Sequence, residues 1–315
     1  MTSLLVHWAA RDAVREAAMS APAARDLVNR YVAGQTLDDL VPVLRLLASR
    51  GLRFSVEYLG VPVEVPADAA RNLQGYLDLV QRLRDEGIAP GAELSVRLGW
   101  LGQELRDEVL DGGRTGGELA LAYARLVCRA SSNAGAFVTI DMSHHELVDG
   151  TLAIWRELHQ DLPGTGITLQ AALRRTEDDA REIAMPGVRV RLCKGSFRAP
   201  RSVAHRGKHD VDLAFVRTLR MLMSSQAVPL VATHDPRLVA ISEELIRRTG
   251  RAADSYEFQM LYGIRPLEQR RLVDIGHTAR VYVPFGPGWY DYYVRNLAER
   301  PANTALFIRS MLGKR

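Results

Sequence analysis

Apolar residues recur at two different periods along the chain, and the change from one to the other divides it. Leu37, Leu40, Val41, Leu44 and Leu47 stand three and four residues apart. That spacing lines one face of a 3.6-residue helix, so the first fifty residues read as an N-terminal helical segment. After Gly51, short β-rich runs alternate with helical stretches. The runs are Arg53–Leu59, Glu93–Leu98, Ala136–Asp141, Gly166–Ala171, Val188–Cys193, Val228–Thr233, Ser255–Met260 and Ala279–Pro284. Between the first two, Leu73, Leu77, Val80 and Leu83 form an amphipathic stripe, and comparable stripes fill most later gaps.

The repeating unit is therefore βα. Parallel neighbours need a crossover helix, and eight strands close at the usual tilt, so residues 51–315 are expected to fold as a (βα)8 TIM-like barrel. Residues 1–50 supply its extra N-terminal helices. A doubly wound open sheet is the competing α/β arrangement and would place a ligand at a strand-order switch point. In a barrel the C-terminal strand ends face the active site, and here they are polar: Arg97, Asp141, Gln170, Arg191, Lys194, Thr233, His234 and Gln259. Barrel interiors are usually packed with branched apolar side chains, so the expectation is a polar cup over an apolar floor.

Composition narrows the classes without choosing among enzymes. Of 315 residues, 47% are hydrophobic and 25% charged, which suits a soluble globular chain with a substantial core. The net charge of +4 is spread along the chain, which argues against a nucleic-acid partner. Cys128 and Cys193 make neither a disulfide framework nor a zinc knuckle, and a reducing cytoplasm is the expected compartment. Arg11 and Asp12 interrupt the N-terminus before a signal peptide or membrane span develops, leaving at most a peripheral membrane contact. There is no phosphate-binding G-x-x-x-x-G-K-[ST] loop, no full dinucleotide fingerprint after Gly286-Pro287-Gly288, and no G-x-S-x-G elbow. His144, His145, His205 and His209 have no carboxylate completing a ligand set, so no metal is expected.

Two segments suit an anion. Arg191-Leu192-Cys193-Lys194-Gly195 places two cations at a strand end before a glycine that lets a ligand approach the backbone. Thr233-His234-Asp235-Pro236 adds a hydroxyl and an imidazole ahead of a proline-started helix, and together the two would hold a pyrophosphate.

At these segments, and at Ile140-Asp141-Met142, Leu169-Gln170-Ala171, Tyr256 to Gly263, Arg280 to Gly286 and Ala298 to Asn303, the chain resembles the proline dehydrogenase family. The resemblance covers nearly the whole chain. It implies a flavin barrel enzyme that oxidises the C–N bond of proline or a related small amine to an imine by hydride transfer to FAD. A quinone or another acceptor then takes the electrons. Met142, Gln170, Arg191, Lys194, Gly195, Ser196, Thr233, His234 and Glu299 would contact FAD, with Arg191 and Asp141 in catalysis and Asp141 orienting the cation at Arg97. Arg97, Leu261, Tyr282, Arg295 and Asn296 would surround the substrate, the last two on a helix that caps the barrel.

The departures from the family pattern gather on the substrate side. Arg97 stands for a lysine, Val61 for a glutamate, Ala172 and Phe197 for tyrosines, and Asn296 for the second arginine of a carboxylate clamp. Losing one clamp arginine removes a charge-assisted hydrogen bond of about 1.5–3 kcal/mol, which favours a roomier site less selective for free proline. A different amine, or a flavin-binding barrel without turnover, are the alternatives.

Overall fold

The structure is a computed structural model, and it describes residues 31–106, 110–195 and 199–289. Eight parallel strands close into one barrel in sequence order: β1 (Arg53–Tyr58), β2 (Glu93–Arg97), β3 (Phe137–Asp141), β4 (Thr165–Gln170), β5 (Arg189–Cys193), β6 (Val228–Ala232), β7 (Glu257–Leu261) and β8 (Ala279–Phe285). Pairing of β1 with β8, Arg53 opposite Arg280 through Tyr58 opposite Phe285, closes the ring and excludes the open sheet. The helices are α1 (Leu37–Ser49) ahead of the barrel, then α2 (Pro66–Asp85), α3 (Gly116–Asn133), α4 (Val148–Asp161), α5 (Thr176–Ile183), α6 (Lys208–Ser224), α7 (Pro236–Thr249) and α8 (Pro266–Asp274) after the first seven strands.

Local chemistry sets the helix starts. Thr36 caps α1 and Thr115 caps α3, each in a reciprocal box with an acid three residues on, Asp39 and Glu118, which satisfies donors that have no partner within the helix. Pro66, Pro236 and Pro266 open α2, α7 and α8, where a missing N–H costs nothing. Helix α1 buries Leu40, Val41, Leu44 and Leu47, the stripe seen in the sequence, and packs on β1. Most of the expected N-terminal helical segment, residues 1–30, lies outside the described residues.

Every second residue of the strands faces outward and meets the helices. Val56, Leu94, Val96, Ile140, Ile167, Leu169, Val190, Leu192, Phe258, Val281 and Val283 are buried there with helix residues such as Tyr76, Trp155 and Phe215. This shell between barrel and helices is the hydrophobic core, as expected for a parallel sheet covered by helices.

The apolar floor does not exist. Glu93, Arg189 and Glu257 begin their strands and Arg280 is the second residue of β8, and all four are buried inside the barrel. Arg189 Nη2 reaches Glu93 at 3.0 Å and Glu257 at 3.2 Å, and Arg280 donates to Glu257 at 2.6 Å and to the Phe54 carbonyl at 2.7 Å. Arg53 at the rim adds a third cation to Glu257 at 3.0 Å. The reason is the two-residue period of a strand. Its apolar residues are consumed by the helix-facing surface, so the polar residues between them point inward and must pair with one another. Strand limits differ from the sequence reading by at most two residues. The largest shift is at β7, where the Ser255 N–H bonds to the Ala252 carbonyl in a turn and so leaves the ladder to begin at Glu257.

Candidate active site

Above the charged floor, Arg191 of β5 ties together four other strands. Its Nε donates to Gln259 Oε1 at 2.7 Å, Nη1 to Ser95 Oγ at 2.5 Å and to Asp141 Oδ1 at 2.7 Å, and Nη2 to Ser55 Oγ at 3.2 Å and to Glu93. Burial alone would loosen its proton, but Glu93 and Asp141 outweigh burial and raise its affinity for the proton above the usual arginine range. Arg191 is thus a fixed positive charge, and its guanidinium carbon lies 5.2 Å from the centre of the Tyr282 ring.

Asp141, at the C-terminal end of β3, is equally engaged. Thr168 donates to Oδ1 at 2.8 Å, and Ser95 and Tyr282 donate to Oδ2, each at 2.8 Å. The two residues assigned to catalysis from the sequence are therefore direct partners. Arg97 is a neighbour of Asp141 in the β2–β3 register, yet the ion pair shown for Arg97 runs to Glu57 of β1. Glu57 is fully buried, and its carboxyl is pushed above the usual range, first by burial and against the pull of Arg97. The sequence reading left it out.

Around the β4–β7 side of the mouth, Gln170 donates to the Ser143 carbonyl at 3.1 Å, and Met142 and Thr233 are buried. Lys194 is half-buried and is not an open cation. It reaches Asp212 at 2.5 Å and Asp235 at 3.0 Å, and both carboxyls are held below their usual range, against burial, by hydrogen bonds that include Lys194. A phosphate at this point would meet a lysine already shared by two carboxylates. His234 accepts the Leu261 N–H on Nε2 at 2.8 Å, so its proton sits on Nδ1. Burial, then Arg265, lowers its pKa to about 4, and it acts at neutral pH as an uncharged donor. Of the remaining assigned residues, Ser196, Arg295, Asn296 and Glu299 lie outside the described residues, as does Phe197.

Sequence reasoning missed Ser55, Ser95, Thr168 and Gln259 as partners of the central pair, and Glu57 as the partner of Arg97. Their signal was present: each stands two residues from another inward polar residue on its strand, as in Ser55-Val56-Glu57 and Arg189-Val190-Arg191. Among the described residues no group of three metal-ligating side chains comes together.

A closed parallel barrel with a buried arginine–aspartate pair, hydroxyls aimed at it, and polar strand ends around its mouth defines a barrel enzyme whose site is at the C-terminal face. The family model described as proline dehydrogenase matches residues 41–308, and the chain belongs to that family of oxidoreductases. Proline dehydrogenase 1 of Bacillus subtilis (strain 168) is 32% identical over 285 residues, 90% of each chain. The proline dehydrogenase of Deinococcus radiodurans is 31% identical over 289 residues, 91% of this chain and 90% of its own. In fold the chain is similar to proline utilization A (PutA) from Bdellovibrio bacteriovorus, crystallised after inactivation by N-propargylglycine, with a TM-score of 0.79 at 23% identity. That match covers 89% of this chain, which spans 33% of the larger protein.

Proposed function

We propose that the chain is an FAD-dependent proline dehydrogenase acting at the C-terminal mouth of the barrel. The observation that carries this reading is the buried pair of Arg191 and Asp141, bonded across the barrel to side chains of five other strands in a chain of this family. A bound FAD would supply the acceptor for a hydride from the carbon next to the substrate nitrogen, with a proton leaving that nitrogen to solvent as the amine becomes an imine.

The residues present suit that cofactor. Gly195 follows β5 with φ +87°, a conformation L side chains rarely adopt, and an added Cβ would stand 2.9 Å from the Gln170 Cβ. The bare backbone is thus held open beside the Gln170 amide, where a flat ring can approach. Met142, Gln170, Lys194, Gly195, Thr233 and His234 would hold the cofactor. Ser196 and Glu299, assigned with them, extend the set. Arg191 supplies a positive charge that needs no reorganisation when negative charge develops nearby. Asp141 fixes that charge and the Tyr282 hydroxyl, so the wall against which the substrate packs is held rigid.

On the substrate side, Leu261 and Tyr282 would flank the ring, and Arg97, with Arg295 and Asn296, would receive the carboxylate. The electrons then pass to a quinone or another acceptor. Among the described residues no helix is long and apolar enough to cross a membrane, and a peripheral contact would serve a membrane-held acceptor. Purified protein is expected to carry FAD that is released on denaturation, and anaerobic L-proline is expected to bleach the flavin absorbance. Protein that takes up no FAD, or bound FAD that proline leaves oxidised, would refute the assignment.

A further inference from the structure

Among the described residues, the charges that meet inside the barrel, from its floor up to Arg97 at the mouth, balance before any ligand arrives. Glu57, Glu93, Asp141 and Glu257 face Arg97, Arg189, Arg191 and Arg280, four acids to four bases. The acids are not held equally. Glu257 meets Arg53, Arg189 and Arg280; Glu93 meets Arg189 and Arg191; Asp141 meets Arg191 and three hydroxyls. Glu57 is fully buried, and its ion pair is to Arg97, whose side chain is 31% exposed at the mouth.

A carboxylate that docks on Arg97, as the proposed function requires, adds a fifth negative charge where Glu57 already occupies the guanidinium. Arg295, assigned with Arg97 to the same carboxylate, answers the charge of the ligand and not that of Glu57, which would be left ionised and fully buried as the ligand draws Arg97 away; a proton on Glu57 removes that cost. We propose that Glu57 is a positioning residue that makes carboxylate binding proton-coupled: the ligand takes over Arg97 while Glu57 picks up one proton from water. The charged and titratable groups facing Glu57 are Arg97 from β2, Asp141 from β3, Tyr282 from β8 and Tyr76 from α2. Of these, Asp141 and the ligand both disfavour ionised Glu57, and Arg97 is the group the ligand withdraws. Burial already pushes the Glu57 carboxyl up in the free protein.

The consequence is a specificity rule. Anionic ring carboxylates bind with a proton and lose affinity as pH rises, whereas a neutral analogue binds without one. The test uses the FAD-loaded full chain and cyclopentanecarboxylate, which keeps the ring and carboxylate of proline but has no amine to titrate. Calorimetric titration in two buffers of different ionisation enthalpy, from about pH 6 to about pH 9, counts protons directly. Uptake approaching about one proton per site is expected, with Kd rising about tenfold per pH unit once Glu57 is ionised in the free protein. In Glu57→Gln the uptake should vanish and the pH profile flatten, with tighter binding than wild type at the alkaline end. Cyclopentanecarboxamide should show no proton uptake in either protein.

Proton-neutral, pH-independent binding to the wild type would overturn the inference, and so would uptake that persists in Glu57→Gln. The wild-type proton count is decisive even where the variant folds poorly. If proline reduces the bound flavin while the carboxylate binds without a proton, the inference falls and the proposed function stands. If proline leaves the flavin oxidised and the carboxylate does not bind, both fall.

Discussion

Arg191 concentrates more of the interior than any charge count conveys, because its guanidinium leaves two acids dependent on it. Replacing it with methionine would keep the volume of the stem and strand Asp141 without a cation, while Glu93 would retain Arg189. Removing one partner of a buried pair costs about 3–5 kcal/mol, since the remaining charge keeps its desolvation penalty. Arg191→Met is expected to fall in that range by urea unfolding. Tyr282→Phe is the contrast. It removes one donor from Asp141, which still has Arg191, Ser95 and Thr168, so a loss of about 0.5–1.5 kcal/mol is expected. Equal losses for the two variants would mean that Arg191 is held by shape and not by charge.

Strand β5 and the turn after it set the approach to the mouth. Gly195→Ala would force φ +87° on a residue with a Cβ and drive that atom against Gln170. The strain of a left-handed residue is about 1–2 kcal/mol, and the displaced Gln170 would also lose its bond to the Ser143 carbonyl. A lower melting temperature together with lower flavin occupancy is expected, and an unchanged occupancy would remove Gly195 from the cofactor site. The elements themselves were legible in the sequence because strand runs and helical stripes differ in period, and the closed order followed from eight consecutive βα units. Arg191 and Asp141 were singled out through the family resemblance of their segments; Asp141 ends β3, whereas Arg191 is the third of five residues in β5. Their partners were not. The bond from Arg191 to Ser55 joins residues 136 apart in sequence and exists only once the barrel closes. Glu57 was passed over because an apolar interior was assumed, which assigned Ser55-Val56-Glu57 no inward chemistry. Lys194 was read as an open cation, since Asp212 lies in a helix whose angle to β5 no local pattern reveals.

For the molecule as a whole, an interior built from charges makes stability a function of pH more than of salt. Exposed pairs such as Arg247 with Glu244 are screened by salt and contribute little, whereas the pairs inside the barrel lie beyond the reach of ions. Burial would raise the carboxyls of Glu93 and Glu257, but the surrounding arginines overcome it and hold both below the ordinary value of 4.5. A folded pKa below the unfolded one stabilises the fold fully above about pH 4.5, and that contribution drains away as pH falls towards the folded value. Glu57 has the opposite sign: its raised pKa favours folding in acid and withdraws that support as pH rises through the folded value. Acid should therefore unfold the protein through the floor of the barrel, not the mouth. Glu93 and Glu257 together take up about one proton on unfolding at pH 4.5 and approach two about a unit lower, so the loss of stability is expected to steepen towards about 2.7 kcal/mol per pH unit there, and stability is expected to change little at pH 7 between low salt and about 1 M salt. Urea unfolding across that pH range, repeated at both salt concentrations, checks both halves. A slope below about half a proton, or a large loss of stability in salt at pH 7, would show that the floor is hydrated and its ion pairs behave as surface pairs.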